Sequence, residues 1–428
     1  MTSLAKRFSS SSFLRHNAVF FVGSLVVGVL NYAFYPIIGR LLPVSAYGEV
    51  QILISLFTQL ALFLNVLNQV TVNIVATYGS KKQSITYELE KLGIYISFGV
   101  CVLAILSSKF ISSFFRLSSV VPLFVMLVAF LITVPLTFRS AYLRGIKKFG
   151  FVSLISIVGS GLEILFAAVL VALGLGAIGA LLGLTLSQAV AYVYASRLVR
   201  KNGGNVKPTD ANYFAKPQWH MLKPELKYSI FVLILSFFTT LAPSIDVLAV
   251  KHYFNPQVAG LYAGVSVVAR SVLYVTGSLA GVLLPLLSTR TSEPSESNRR
   301  TLLKSLALLT FIGGGALLVF SLFPRLIIAI LMGHKYLMYA HLLPELSLAM
   351  FLFSIVNMLI VYFIALREYW TSVIIIVSTG VIEGFMLARH STVAMIVSNL
   401  VYSSIVVLLL CSGWLLFKLR HPQESYAE

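Results

Sequence analysis

Charge is scarce in this chain, and so is cysteine. Only 11% of the 428 residues are Asp, Glu, Lys or Arg, and just 14 are acidic. Soluble domains carry about a quarter charged residues, so a wholly water-solvated surface is excluded. The two cysteines, Cys101 and Cys411, each lie inside an apolar run, which supports neither a disulfide framework nor a thiolate metal site. The seven histidines are scattered through the chain, with no HExxH pair and no nucleophile elbow. The triple glycine Gly313 to Gly315 lacks the following Lys and Ser/Thr of a phosphate-cradling P-loop. These absences point away from an enzyme, a metal centre and a bound cofactor. Period-two alternation over about ten residues, the mark of a lipid-spanning barrel, is missing as well.

What the chain has instead is apolar length. Hydrophobic residues make up 58%, with 30 Phe and 28 Gly, a composition that suits helices facing lipid on one side and packing closely through small residues on the other. Taking about twenty apolar residues per crossing, the first set of spans falls near 17–38, 50–78, 92–113, 120–141, 150–173 and 176–198. A second set falls near 227–250, 258–287, 302–323, 341–365, 370–388 and 392–417. The expected fold class is therefore all-α, a polytopic membrane protein of about twelve helices. The opening "MTSLAKRFSSSSFLR" is basic and Ser-rich but leads into an apolar run without a small-residue cleavage site. A first span is expected there rather than a removable signal.

Positive residues resist translocation and collect in short cytoplasmic loops. With the N-terminus inside, 24 of the 32 basic residues fall on inner segments and seven on outer ones, leaving Arg270 alone within a span. Both termini are thus expected in the cytoplasm. The net charge of +18 is spread over many short loops, so no contiguous patch for nucleic acid is expected.

The sequence also repeats itself. The longest polar break, "RKNGGNVKPTDANYFAKPQWHMLKPE" at 200–225, has linker composition and divides the chain into a bundle at 1–200, a cytoplasmic linker at 201–224 and a bundle at 225–428. In each half the first span ends on a basic outer residue before a Pro-x-x-Ala turn: Arg40 precedes Pro43 and Ala46, and Lys251 precedes Pro256 and Ala259. An Ala-Leu-Arg series recurs at the inner corner after spans four and ten. A glutamate follows in the next span, Glu163 nineteen residues after Arg144 and Glu383 sixteen after Arg367. Matching spans run in the same direction, which predicts two parallel six-helix repeats related by an axis along the membrane normal.

The segments "YPIIGRLLPVSAYGEVQ" (35–51), "LRGIKKFGFVSLISIVGSGLEI" (143–164), "SIDVLAVKHYFNPQVAGLYAGV" (244–265), "GVLLPLLS" (281–288) and "LMGHKYLMYAHLLPELSLAM" (331–350) together resemble the polysaccharide-export and O-antigen-type flippases of the multidrug/oligosaccharidyl-lipid/polysaccharide superfamily. The resemblance covers nearly the whole chain. It implies two bundles around a central cavity that opens alternately to either side, and a cargo of undecaprenyl-diphosphate-linked oligosaccharide. Membrane lipids and polysaccharide polymerase machinery are the implied partners, in a cytoplasmic (inner) membrane. Twelve spans lack the extra pair usual in lipid II flippases, and no motif identifies the sugar.

Within the spans, ionisable residues are the candidates for work, because a charge at the bilayer centre costs about 2.5–3.5 kcal/mol on insertion scales. Arg270 offers a planar fork suited to phosphate oxygens, or a structural ion pair with a carboxylate. Asp246, near a Pro243 able to loosen its helix and free a carbonyl, suits ion coupling, gating or pairing with an arginine. Glu163 and Glu383 carry the same choice between coupling and structure. Arg40 and Lys251 at the outer corners suit either headgroup snorkelling or attraction of a departing diphosphate. On the inner side Arg139, Arg144, Lys147 and Lys148 suit collection of anionic headgroups. Asn31 and Asn68, among several amides in spans one and two, suit sugar hydroxyls or helix-to-helix bonding.

Two other functions compete. A drug or organic-cation antiporter would share the fold but would want a carboxylate-lined aromatic cavity. A membrane-embedded polymerase or glycosyltransferase would need a large outer loop or a soluble domain, and every outer loop here is short.

Overall fold

The structure, a computed structural model, describes residues 23–78, 83–202, 233–234, 236–288, 296–365 and 370–420, the side chains at 78, 83–85, 278–288, 296–298, 365, 370–372 and 418–420 excepted. The predicted linker, apart from its first two residues, and the predicted start of the first span lie outside the described residues. Among the described residues the regular structure is all helical.

The chain divides into two compact units, Met1–Ile230 and Phe231–Glu428. In the first, α1 covers Gly23–Leu41. It is followed by α2 (Val44–Tyr78), α3 (Gln83–Leu106), the short α4 (Ser108–Phe114), α5 (Val121–Gly145), α6 (Phe149–Leu170) and α7 (Gly176–Lys201). The second unit begins with a broken crossing: α8 (236–241), a 3-10 turn at Ala242–Ser244, and α9 (Ile245–Tyr253). Then come α10 (Pro256–Ser288), α11 (Glu296–Leu322), the short α12 (Pro324–Leu331), a 3-10 segment at His334–Leu342, α13 (Leu343–Ala365), α14 (Trp370–Ala388) and α15 (Val393–Arg420).

Nine helical stretches among the described residues are long and apolar enough to cross a membrane. One of these, Phe149–Lys201, holds 53 residues, too many for a single crossing of a bilayer about 30 Å thick. It contains two. The break is a π turn at Val171–Leu175 in which Gly174 takes φ 89°, and Gly176 takes φ 55° just after it, left-handed conformations that a β-carbon disfavours. With α14 and the broken α8–α9 segment added, the expected twelve crossings are accounted for.

Proline marks several helix starts. Pro122 and Pro324 sit in the first turns of α5 and α12, where a missing N–H removes no helical hydrogen bond. Where helices meet most closely, small residues permit it: at Gly183 a β-carbon would collide with the Ala167 backbone, so α7 lies directly on α6. Leu143, Val152, Ile155, Ala191, Ala195 and Val199 join α5, α6 and α7 in one buried cluster. By contrast, Phe98, Leu103 and Leu106 on α3, and Phe311, Leu318 and Leu322 on α11, are exposed, as lipid-facing side chains are.

The internal repeat extends to packing. In the first unit α2 and α3 both pack on α5, and α5 and α6 on α7. In the second, α10 and α11 pack on α13, and α13 and α14 on α15. A short helix, α4 or α12, precedes the fourth crossing each time. The two corners beside those short helices are closed differently. Glu49 of α2, 5% exposed, accepts both the backbone N–H (2.6 Å) and the hydroxyl (2.9 Å) of Ser118. In the second unit Gly264 of α10 leaves room for the fully buried Tyr336 ring instead.

Candidate functional site

Two polar features stand out, one in each unit. In the second unit Tyr262, Ser266 and Arg270 recur every four residues along α10, which puts them on one face opposite Asp246 at the start of α9. Asp246 is 0% exposed and Arg270 5%. The Arg270 Nη2 donates to Asp246 Oδ1 at 2.7 Å. Oδ2 accepts the Tyr262 hydroxyl at 2.6 Å and the Ser266 hydroxyl at 2.9 Å. Arg270 Nε donates to the Pro243 carbonyl at 3.1 Å, within the 3-10 turn that interrupts this crossing. A buried charge is tolerated only when paired and hydrogen-bonded, and here both carboxylate oxygens are engaged. Nη1 of Arg270 has no hydrogen bond among the described residues.

The first unit contains a half-open cavity of about 380 Å³ lined by α1, α2, α5, α6 and α7. Helical spacing brings its polar groups together: Asn31 and Tyr35 on α1, and Ser156, Ser160 and Glu163 on α6. Ser140 of α5 and Gln188 of α7 complete the polar wall, while Phe34 and Phe57 supply aromatic surface. Ser160 donates to Asn31 Oδ1 at 2.7 Å. Among the described residues, neither the Glu163 carboxylate nor the Gln188 amide makes a hydrogen bond or ion pair. Among the described residues no Lys, Arg or His lines the cavity.

The remaining sequence candidates are dispersed. Asn68 of α2 is buried at 8% exposure, and its Oδ1 finds no hydrogen-bond partner among the described residues. Arg40 and Lys251, matched in the repeat, differ in setting: Arg40 is exposed, whereas Lys251 on α9 is 1% exposed. Glu383 lies on the exposed face of α14. Arg139, grouped by sequence with the inner-side cations, is held by Glu90 of α3 at 2.8 Å.

Sequence reasoning named Arg270 and Asp246 without Tyr262 or Ser266, although the four-residue spacing of the three α10 positions was a usable signal. It also passed over Gln188 and Ser160, which are ordinary polar residues on helices until the fold turns them toward Glu163. The Glu90–Arg139 pair joins residues 49 apart in sequence and left no local signal.

The whole chain resembles solved transporters. An inward-facing multidrug resistance MATE family transporter of the MOP superfamily superposes with a TM-score of 0.76 at 15% identity, over 94% of this chain and 96% of that one. The lipid II flippase MurJ, in an inward closed conformation, superposes with a TM-score of 0.69 at 14% identity, over 93% and 87%. A MOP superfamily transporter from Pyrococcus furiosus, described as having a binding pocket of reverse polarity, gives 0.58 at 17% identity over 95% and 96%. Identities this low speak for the fold. No curated protein sequence matches significantly. The sequence profile of the polysaccharide biosynthesis protein family, however, matches residues 13–291, well over half the chain, and this multi-pass membrane protein of the MOP transporter fold therefore belongs to that family.

Proposed function

We propose that the protein is a flippase that moves an undecaprenyl-diphosphate-linked oligosaccharide across the cytoplasmic membrane by alternating access, with both termini in the cytoplasm. The observation that carries this reading is membership of the polysaccharide biosynthesis family on a transporter fold. A likeness in fold to a lipid II flippase adds support.

In this reading the cargo's diphosphate meets cations and its sugars meet amides and hydroxyls, while the polyprenyl tail stays in lipid. Arg270 contributes through its Nη1 group, Nε and one Nη2 N–H being engaged by Pro243 and Asp246. Arg40 at the surface and Lys251 from within α9 add positive charge for the diphosphate at the outer corners, and Asn31 and Asn68 serve the sugar. Asp246, Glu163 and Glu383 act in ion coupling or gating. Net transport requires that cargo or ion bind the two open states unequally, because equal binding shifts no population.

The MATE likeness favours a second reading, a drug or organic-cation antiporter, and the same experiment separates the two. Mass spectrometry of membrane lipids after deletion of the gene would show accumulation of a glycosylated polyprenyl diphosphate if the flippase reading holds. An unchanged lipid profile together with new sensitivity to cationic dyes would favour the antiporter.

A further inference from the structure

The cavity inside the first unit has a chemistry distinct from the Arg270 cluster. Among the described residues it holds a carboxylate, an amide and several hydroxyls and no basic residue, and the half-buried Glu163 and Gln188 side chains line it without a hydrogen bond among those residues. A polar wall set inside an apolar bundle is satisfied only by water or a polar ligand, and the space in front of Glu163 and Gln188 is where such an occupant fits.

The charge of the lining decides which end of an amphiphilic anion is admitted. The described lining offers a diphosphate no cation to neutralise it. A neutral sugar ring has the opposite match. Its hydroxyls donate to the carboxylate and to amide oxygens, they accept from the Gln188 amide and the serine hydroxyls, and its C–H faces lie against aromatic rings such as Phe34 and Phe57. The Ser160–Asn31 bond pre-orients one side of this wall, which reduces the ordering that binding would otherwise require. A cavity of about 380 Å³ has room for a glycosyl unit together with water.

We infer that the cavity lined by Glu163, Gln188, Asn31 and Ser156 is a glycosyl subsite, taking a neutral sugar residue of the cargo while excluding its diphosphate. This rests on the flippase reading, moves Glu163 from ion coupling to sugar recognition, and adds a division of labour: sugar recognition sits in the first unit, and cationic recognition of the diphosphate belongs elsewhere.

The test uses the full-length protein in lipid nanodiscs, with two probes: a polyprenyl diphosphate bearing its oligosaccharide, and the same polyprenyl diphosphate without sugar. Native mass spectrometry reads retention of each. The expected result is that wild type retains the glycosylated lipid more strongly. Glu163→Gln and Gln188→Met should each lower that retention about tenfold, with sugar-free retention and the melting temperature unchanged. Equal loss of both lipids, or no loss in either variant, overturns the subsite while leaving flippase function standing. A variant with normal glycosylated-lipid retention but a lost response to Na⁺ or a pH gradient makes the cavity an ion site and also overturns it. If wild type retains neither lipid, the flippase reading falls and the subsite with it.

Discussion

Arg270 and Asp246 form a closed ion pair at 2.7 Å inside the second bundle, with 7% and 0% of their side chains exposed. Removing one member of a buried pair strands the other, at a cost of about 3–5 kcal/mol, whereas replacing both by apolar groups can be neutral. Arg270→Leu and Asp246→Leu alone should therefore lower the melting temperature in detergent sharply, and the double variant should recover most of it. Polymer export by the stable double variant then reports on cargo contact. If export is lost although stability returns, the pair acts in transport and not only in folding; if export is normal, Arg270 is structural and the proposed diphosphate role fails.

The Tyr262 hydroxyl is one of two that complete the Asp246 carboxylate. Tyr262→Phe keeps the ring and removes one charge-assisted hydrogen bond, worth about 1.5–3 kcal/mol. Its melting temperature should fall, and the loss should shrink in an Asp246→Leu background, because the two residues are coupled. Additive losses in the thermal denaturation cycle would contradict the geometry.

Glu49 ties α2 to the start of α5 through both donors of Ser118. Glu49→Gln retains only one acceptor oxygen, so one of the two bonds weakens. An expected loss of about 1–2 kcal/mol should appear together with faster amide exchange at 116–120 and little change elsewhere. Uniform exchange along the chain would show that this corner is not held by Glu49.

Close helix contact depends on Gly183, where a β-carbon meets the Ala167 backbone, whereas Gly161 on α6 faces open space. Gly183→Ala should reduce the yield of folded protein through overpacking of about 1–3 kcal/mol, while Gly161→Ala is tolerated. Comparison of their size-exclusion profiles tests the α6–α7 interface directly.

The helices were legible because hydropathy and length suffice to mark a crossing, and the matched Pro-x-x-Ala turns after Arg40 and Lys251 fall at the starts of α2 and α10, which pack alike within their own units. The break in the first crossing of the second unit was legible only as Pro243, since a 3-10 turn is stabilised by a tertiary partner, here the Arg270 guanidinium. Charge in an apolar run singled out Arg270, Asp246 and Glu163, because such residues are rare and conspicuous. Gln188, Ser156 and Ser160 carry no such signal. Their importance comes from the angular positions of α6 and α7 around one cavity, and those are set by packing at Gly183 and Ala167, not by local pattern. For the same reason Lys251 differs from Arg40 despite the matched turns: burial depends on what neighbouring helices cover, which a repeat in sequence does not specify.

The claim that the protein flips lipid-linked oligosaccharide is tested most directly in proteoliposomes. Purified protein is reconstituted with glycosylated polyprenyl diphosphate confined to the inner leaflet, and the arrival of sugar at the outer surface is followed by a lectin. The account predicts protein-dependent appearance of the sugar, reduced in Glu163→Gln. Sugar that stays inside with active, folded protein under both an imposed ion gradient and a membrane potential would contradict it.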